Sequence, residues 1–598
     1  MNNNILDVRK NNLIKSVINN LANLLFYILI CGLGVYMAFY PTLSSGFALM
    51  QENPGDTRLN NYFLEHSFQL FTNRNYIGDL WSPQFFYPYP EVLTFSENLF
   101  GSAPIYWLFR FFTPSELAFQ LWMITMCVLC FFSFIILMSR YKVNPILSAL
   151  GAFLFAFSMC RVAKIGHQQL LPQFFTPLVF LIAWEFFRQP NRKRLALFLL
   201  LIYLQVLSGI YLGWFLLFSL IILFGVGLKI DRNSLDRLMN YGRRDAKFVF
   251  VIGLSWLGVM SLTLFPYIKI KSVLGGSPYS QVDQILPRLS SWFSVPPGSI
   301  WSFLLSWVSR DLPYVWEHYL FGGLTIIFLT IITIYTLIKH KTIFTFEREL
   351  LIKVCLLVFI IIFVLSLRLP FGISLWRIIY ELVPGASAIR AMTRIWTIAY
   401  FYLLIAIILC FDSIFKSVLL VKFSRRVSIL ILITICILGI FEQRLSNLAS
   451  YEKQPLLKEV TEIRYLMEKD CDIAYLHFSP EKVYYVEQLS AMWAGIQANI
   501  PVINGYSGYA PPKYGDASQS MNTSQIIDWL KVFQKDNSGK LCVISRENIE
   551  EQDKLLAENT LRKNVSLSQE FTAYVIQLPI GEERNLSVNF TQLAITEK

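Results

Sequence analysis

Charge is what this sequence has least of. Asp, Glu, Lys and Arg make up 15% of its 598 residues, against about 25% in soluble globular chains. The deficit is concentrated before residue 442, which excludes an ordinary soluble domain there. Histidine is scarce, with five in all. No CxxC, HExxH, P-loop or helix-opening GxGxxG pattern stands in a proper context, so the common motif-borne metal, redox and nucleotide sites find no support. There is no internal repeat and no low-complexity tract. The nine cysteines lie mostly inside apolar runs, where the thiol behaves as a small hydrophobe. Cys471 and Cys542 fall outside those runs, at the starts of two expected strands. They are read as buried core thiols on neighbouring strands, with a disulfide the alternative outside the cytoplasm.

What is present in abundance is apolar surface: 55% hydrophobic and 16% aromatic residues, with a mean hydropathy of +0.49. Apolar runs recur near 22–43, 117–139, 145–160, 171–187, 194–208, 210–228, 248–267, 319–338, 350–367, 395–412 and 427–441. Runs of this length are candidate membrane spans. The expected fold is an α-helical polytopic membrane protein of about eleven transmembrane helices with a C-terminal soluble α/β domain. The first run is too long for a signal-peptide core and has no clear small-x-small cleavage site, so it is read as retained.

The formal net charge of +12 does not point to nucleic acid, because the basic residues sit in short clusters between apolar runs. Arg140 and Lys142, Arg188 to Arg194, Lys229 to Lys247, Lys339 to Arg348 and Lys416 to Arg426 all fall on one side if the N-terminus is cytoplasmic. That is the positive-inside pattern. The long loops at 44–116, 268–318 and 368–394 and everything after Phe441 then lie outside.

Two units are expected: 1–441, membrane-embedded with the external loop 44–116, and 442–598, external and mixed α/β. In the second, Asp472–Phe478, Leu541–Ser545 and Thr572–Leu578 read as strands. Val486–Asn499 and Ile526–Gln534 read as helices.

Polar chemistry gathers in the external loops. Asp56, in Pro54-Gly55-Asp56-Thr57-Arg58, follows a turn signal and precedes a helical-looking Thr57–Leu70. A carboxylate there suits proton abstraction from a hydroxyl, and it equally suits a helix N-cap. Glu97 suits a metal or a sugar hydroxyl, and a cap is the reading taken. Asp79 and Glu65 read as solvated charges. Arg161, Lys164 and Gln168 follow one another at helical spacing; external cations there suit a lipid phosphate or pyrophosphate, with snorkelling at a helix end the alternative, and His167 beside them reads on its own as a structural histidine. Arg390 and Arg394, four apart on one helical face, form a second candidate clamp. Glu317-His318 reads either as a contributor to the same cavity or as an interfacial anchor. Asn504–Pro512, a Gly/Pro/aromatic loop, suits a sugar face or tight structural packing.

The layout resembles the GT-C superfamily of membrane glycosyltransferases, and more closely a group of bacterial multispanning proteins of that type. The resemblance is carried by Gly55-Asp56-Thr57-Arg58-Leu59-Asn60, by Phe86-Tyr87-Pro88-Tyr89-Pro90 through Ser96-Glu97, and by Phe155–Ser158 with Arg161 and Gly166-His167-Gln168. Pro384-Gly385, Ile389-Arg390 and Arg394, and Asn504–Gly508, complete it. Thr57 departs from the proline common at that position.

The resemblance implies transfer of a sugar from a polyprenyl-phosphate donor to an envelope glycan, lipid or protein acceptor on the external face of a bacterial inner membrane. Asp56 would then be the base or a metal-associated carboxylate. Arg58, Glu97, Arg161, Lys164, His167, Gln168, Arg390 and Arg394 would bind donor or phosphate, and a divalent metal ion is the cofactor compatible with that picture. Expected partners are the lipid-linked donor and membrane lipids, with no nucleic acid. The competing reading is a non-catalytic transporter or assembly factor for lipid-linked polysaccharide.

Overall fold

The computed structural model describes residues 2–479, 481–533 and 539–578. The long N-terminal helix α1 (Asn2–Ser44) is followed by the short strand β1 (Leu49–Gln51), α2 (Asp56–Thr72) and α3 (Ala103–Arg110). Then come α4 (Ser115–Arg140), α5 (Pro145–Phe157), α6 (Phe175–Arg188), α7 (Arg192–Ser208), α8 (Ile210–Ile230) and α9 (Ala246–Leu274). The bundle continues with α10 (Leu324–Lys339), α11 (Phe346–Ser366), the short α12 (Trp376–Leu382), α13 (Trp396–Ile414) and α14 (Arg425–Phe441).

Helices occupy all eleven apolar runs. Among the described residues eight segments are long and apolar enough to cross a membrane, including Asn19–Ser44, Pro145–Val162 and Met392–Lys422. The remaining three, α7, α10 and α14, have 17, 16 and 17 residues, about 24–26 Å of helix. The chain is an integral membrane protein. Helix α13 forms the centre of the bundle, with both flanks buried from Trp396 to Ser413, and it packs on α5, α10 and α11. Helix α9 is peripheral, with only four buried residues along its length.

Beyond α14 lie β2 (Ser450–Glu452), α15 (Lys453–Asp470), β3 (Ile473–His477) and α16 (Tyr484–Ala498). They are followed by α17 (Thr523–Phe533), β4 (Gly539–Ser545), β5 (Thr560–Val565) and β6 (Thr572–Leu578). The sheet order is β3-β4-β6-β5, with β3 and β4 parallel and the other pairs antiparallel. Of the expected helix end at Gln534, the residue itself lies outside the described residues.

Two findings revise the reading of the sequence. Cys471 and Cys542 form a disulfide rather than two free thiols. The parallel register places Ala474 opposite Cys542, and Cys471 comes within a Cα distance of 5.6 Å, inside the range a bridge requires. Glu65 is buried, not solvated. It accepts from Tyr106 Oη at 2.7 Å and from Arg110 Nε at 2.8 Å.

Loop 44–116 and the C-terminal sheet share one core. Tyr62, Phe63, Phe85, Phe86, Leu93 and Phe95 pack with the sheet residues. Backbone pairing reinforces this: Phe86 N–H donates to Asn504 O, Tyr87 N–H to Val502 O and Val502 N–H to Gln84 O. Strand β1 pairs antiparallel with β2. Loop 44–116 is thereby ordered by residues about four hundred positions away.

Candidate functional site

The site is built where the loop after β1, the turn after α5, the loop before α10 and the start of α13 meet the C-terminal unit. Glu52 has a left-handed backbone, φ +66°, and Asn53 Oδ1 accepts from Gly55 N–H at 2.9 Å. This turn starts α2 with Gly55 as N-cap and Asp56 as first helical residue, and no side chain caps the helix. The capping role for Asp56 is therefore not the one the structure shows. A side chain on Gly55 would close on the Tyr485 ring at 3.3 Å, so glycine permits this approach.

The half-buried Asp56 carboxylate faces a histidine. His167 Nδ1 lies 3.0 Å from Asp56 Oδ2, and its Nε2 lies 3.4 Å from Glu317 Oε1. Both ring nitrogens are donors only in the imidazolium form, the form able to serve both carboxylates together.

Glu317 is the hub of the cluster and is buried. Lys164 Nζ donates to its Oε2 at 3.2 Å, Thr393 Oγ1 to the same oxygen at 3.2 Å, and Arg394 Nη2 to Oε1 at 2.6 Å. Burial alone would raise the Glu317 carboxyl, but Arg394, Lys164 and His167 outweigh it and hold it well below the ordinary value. Burial lowers the Lys164 ammonium against the pull of Glu317. Of the two readings open to Glu317 from sequence, the geometry favours the one that joins it to the cationic cluster, through Lys164, His167 and Arg394. His318 turns away, to Ser291 and Gln284.

Glu52 was not singled out in the sequence. Its carboxylate lies against Gly166, 3.3 Å from where a Cβ would stand. Burial raises it to about 7, with His167 pulling the other way. The only signal in the sequence is its place two residues before Pro54-Gly55.

From the C-terminal unit, Tyr506 in the Asn504–Gly508 motif brings its phenol to Asp56. Burial and that carboxylate raise its pKa. Its ring lies 5.6 Å from that of Tyr485. Asn504 fixes the loop by exchanging two hydrogen bonds with the Leu476 backbone.

The other sequence candidates divide. Gln168 is a lock: its Nε2 donates to Thr57 Oγ1 at 2.8 Å and its Oε1 accepts from Asn60 at 3.1 Å, tying the two motifs together. Arg161 is engaged inside the protein, donating to Gln173 Oε1 and Leu171 O, each at 2.7 Å. Lys164 has all three of its donors taken, by Trp316 O, Glu317 O and Glu317 Oε2. Arg58 points the other way, to Val486 O and Ser490 Oγ on α16. Glu97 holds the start of α8, accepting from the N–H groups of Ile210 and Tyr211. The helix there is not its own but one more than a hundred residues on. Each Glu97 oxygen is thus given to a backbone N–H.

Arg394 lies over the Tyr211 ring at 5.9 Å and within the field of Asp56. Arg390 is exposed, its backbone N–H donating to Tyr211 Oη at 3.3 Å. Among the described residues it has no acidic partner. Among those residues, too, no three His, Cys, Asp or Glu side chains are grouped to hold a metal ion.

No curated protein matches the chain. Similar solved structures include ArnT from Cupriavidus metallidurans in the apo state, at a TM-score of 0.39 and 9% identity, covering 92% of this chain and 97% of that one. Another is the Archaeoglobus fulgidus oligosaccharyltransferase in the apo form, at 0.45 and 13%, covering 95% of this chain and 75% of that one. Residues 71–442, which include Lys164, His167, Glu317, Arg390 and Arg394, match the family described as Domain of unknown function (DUF6311). That match covers more than half of the sequence, and the chain belongs to the DUF6311 family.

Proposed function

We propose that this protein is a GT-C type membrane glycosyltransferase that moves a sugar from a polyprenyl-phosphate donor to an acceptor hydroxyl outside the cytoplasm. The observation that carries the reading is the half-buried carboxylate of Asp56. It is held by His167 and Tyr506 at the meeting of the membrane and C-terminal units, with Arg394 and Arg390 on the same side of the bundle.

In the proposed step Asp56 takes the proton of the acceptor hydroxyl. The oxygen attacks the anomeric carbon, and the bond from that carbon to the phosphate oxygen breaks. The electron pair leaves on the lipid phosphate with inversion at carbon. Arg390, exposed and without an acidic partner among the described residues, receives the growing phosphate charge, and Arg394 adds a second positive centre behind it. His167, between Asp56 and Glu317, keeps the base oriented. Glu317 holds Lys164 and Arg394 in place without itself touching substrate.

Orientation follows from the basic clusters, which put the N-terminus in the cytoplasm and the site outside. The Cys471–Cys542 disulfide supports an oxidising compartment for the C-terminal unit. A bacterial inner membrane is the setting proposed. Envelope glycan, lipid and protein remain the classes of acceptor to be assayed.

The test is transfer from a panel of polyprenyl-phosphate sugars by the protein reconstituted in lipid nanodiscs, together with envelope glycan profiles of cells with and without the gene. Transfer by the parent and none by a well-folded Asp56→Asn variant is the expected result. Undiminished transfer by that variant overturns the assignment.

A further inference from the structure

After α11 the chain turns back against α8. It forms a tight hairpin, Leu369 N–H donating to Ile373 O at 2.8 Å, and then α12. Trp376, at the start of α12, is fully buried. Its ring packs 6.1 Å from Trp214 and 5.7 Å from Phe218, both on α8. Helix α8 has 21 residues, about 32 Å at 1.5 Å each, which matches a hydrocarbon core of about 30 Å. Trp214 and Phe218 lie four and eight residues from the first residue of that helix, so about 6 and 12 Å along it. A residue packed between them stands below the membrane surface.

The chain then climbs α8. Trp214 Nε1 donates to Pro384 O at 3.0 Å, and Gly385, at φ +85°, sits where a Cβ would meet the same indole at 2.9 Å. Arg390 follows at Tyr211, the second residue of α8. The contacts ascend Phe218, Trp214, Tyr211 in order.

Helix α12 has three edges. At 100° per residue Trp376 and Tyr380 share the inner edge, and Tyr380 Oη donates to Ser277 O at 2.8 Å. Arg377 and Glu381 share a second edge about 100° away, 68% and 56% exposed and paired with each other at 3.1 Å. Leu375, Ile378 and Leu382 share the third, with Ile378 54% and Leu382 76% exposed. A polar edge and an apolar edge, both uncovered on one short helix, suit the boundary between water and lipid and neither phase alone.

We propose that α12 lies in the membrane interface, with Leu375, Ile378 and Leu382 immersed in the acyl region of the leaflet and Arg377 and Glu381 turned to its polar side. The partner is a lipid surface. The apolar edge continues the lipid-facing surface of α8, where Ile221 is exposed. Phe371, 99% exposed at the hairpin tip, enters the same layer. The climb along α8 then sets Arg390 at headgroup level, where lipid phosphates are.

This inference rests on α8 crossing the membrane and not on the chemistry at Asp56, so it survives or falls independently of the transferase reading. It is tested with single spin labels at Arg377→Cys, Ile378→Cys, Glu381→Cys and Leu382→Cys in nanodiscs. The seven described free cysteines are buried, so the label reaches the introduced thiol, and the unsubstituted protein gives the background. Power-saturation spectroscopy compares collision with oxygen and with nickel ethylenediaminediacetate. The ratio of oxygen to nickel access is expected to be several-fold higher at positions 378 and 382 than at 377 and 381, in variants that elute and melt as the parent does. A ratio equal at the two edges, whichever reagent dominates, overturns the placement.

Discussion

His167 Nδ1 lies 3.0 Å from Asp56 Oδ2 although 111 residues separate them. Neither residue could hold that place alone. The turn carrying His167 is tied to α2 by Gln168 on Thr57 and Asn60, so the contact is fixed by hydrogen bonds on either side of it.

Asp56→Asn keeps the shape and removes the charge. Asp56 caps no helix but pairs with His167 and Tyr506, so a modest loss of stability, about 0.5–3 kcal/mol, is expected with the fold retained. Transfer should be lost. Parallel activity and melting measurements check both halves.

Glu317→Ala should act differently. It leaves Lys164 and Arg394, both buried, without their shared carboxylate. Breaking a buried pair in this way costs about 3–5 kcal/mol. The expected outcome is a large fall in the melting temperature in detergent or nanodiscs. A variant as stable as the parent would contradict the hub.

Glu52 makes stability depend on pH. Its carboxyl titrates near 7 in the folded protein against an ordinary 4.5. Between those values the folded state binds more protons than the unfolded state at this residue. Its contribution to stability therefore falls as pH rises through that window and is level above it. Glu52→Gln has no proton to lose, so its stability relative to the parent should rise from pH 4.5 to 7. Melting curves across the window decide it, and equal slopes would count against a half-buried, neutral Glu52.

Arg390→Ala and Arg161→Ala should separate binding from folding. Arg390 is exposed and pairs with no acid among the described residues, so its loss should spare stability and weaken the donor. A charge-assisted hydrogen bond of about 1.5–3 kcal/mol corresponds to roughly tenfold or more in KM for the lipid-linked sugar. Arg161 closes the 161–173 loop from inside, so its removal should lower the melting temperature first. Michaelis constants measured beside melting curves distinguish the two arginines.

Much of the architecture was legible in residue pattern. Apolar runs of span length placed all eleven helices, because a chain in lipid must satisfy its backbone within each segment. Alternation and breakers placed β3, β4, β6, α16 and α17. In strand β5 the charged and polar Arg562, Lys563 and Asn564 separate Leu561 from Val565, so no apolar run announces it. The disulfide was not legible, since it depends on the parallel register of β3 and β4.

The site was only partly legible. Residue types picked out Asp56, His167 and Arg394, since a carboxylate, an imidazole and a guanidinium stand out in loops of a chain poor in charge. They did not show that Arg161, Lys164 and Glu97 are engaged inside the protein, because spacing along one helix says nothing of partners brought by another. Glu317 and Glu52 take their character from neighbours distant in sequence: two cations around the first, burial beside His167 for the second. Local period and composition decide where helices and strands form, because those depend on a few adjacent residues. Which charges are paired, buried or left free to meet a substrate is settled only when distant segments pack, since electrostatic environment belongs to the assembled fold.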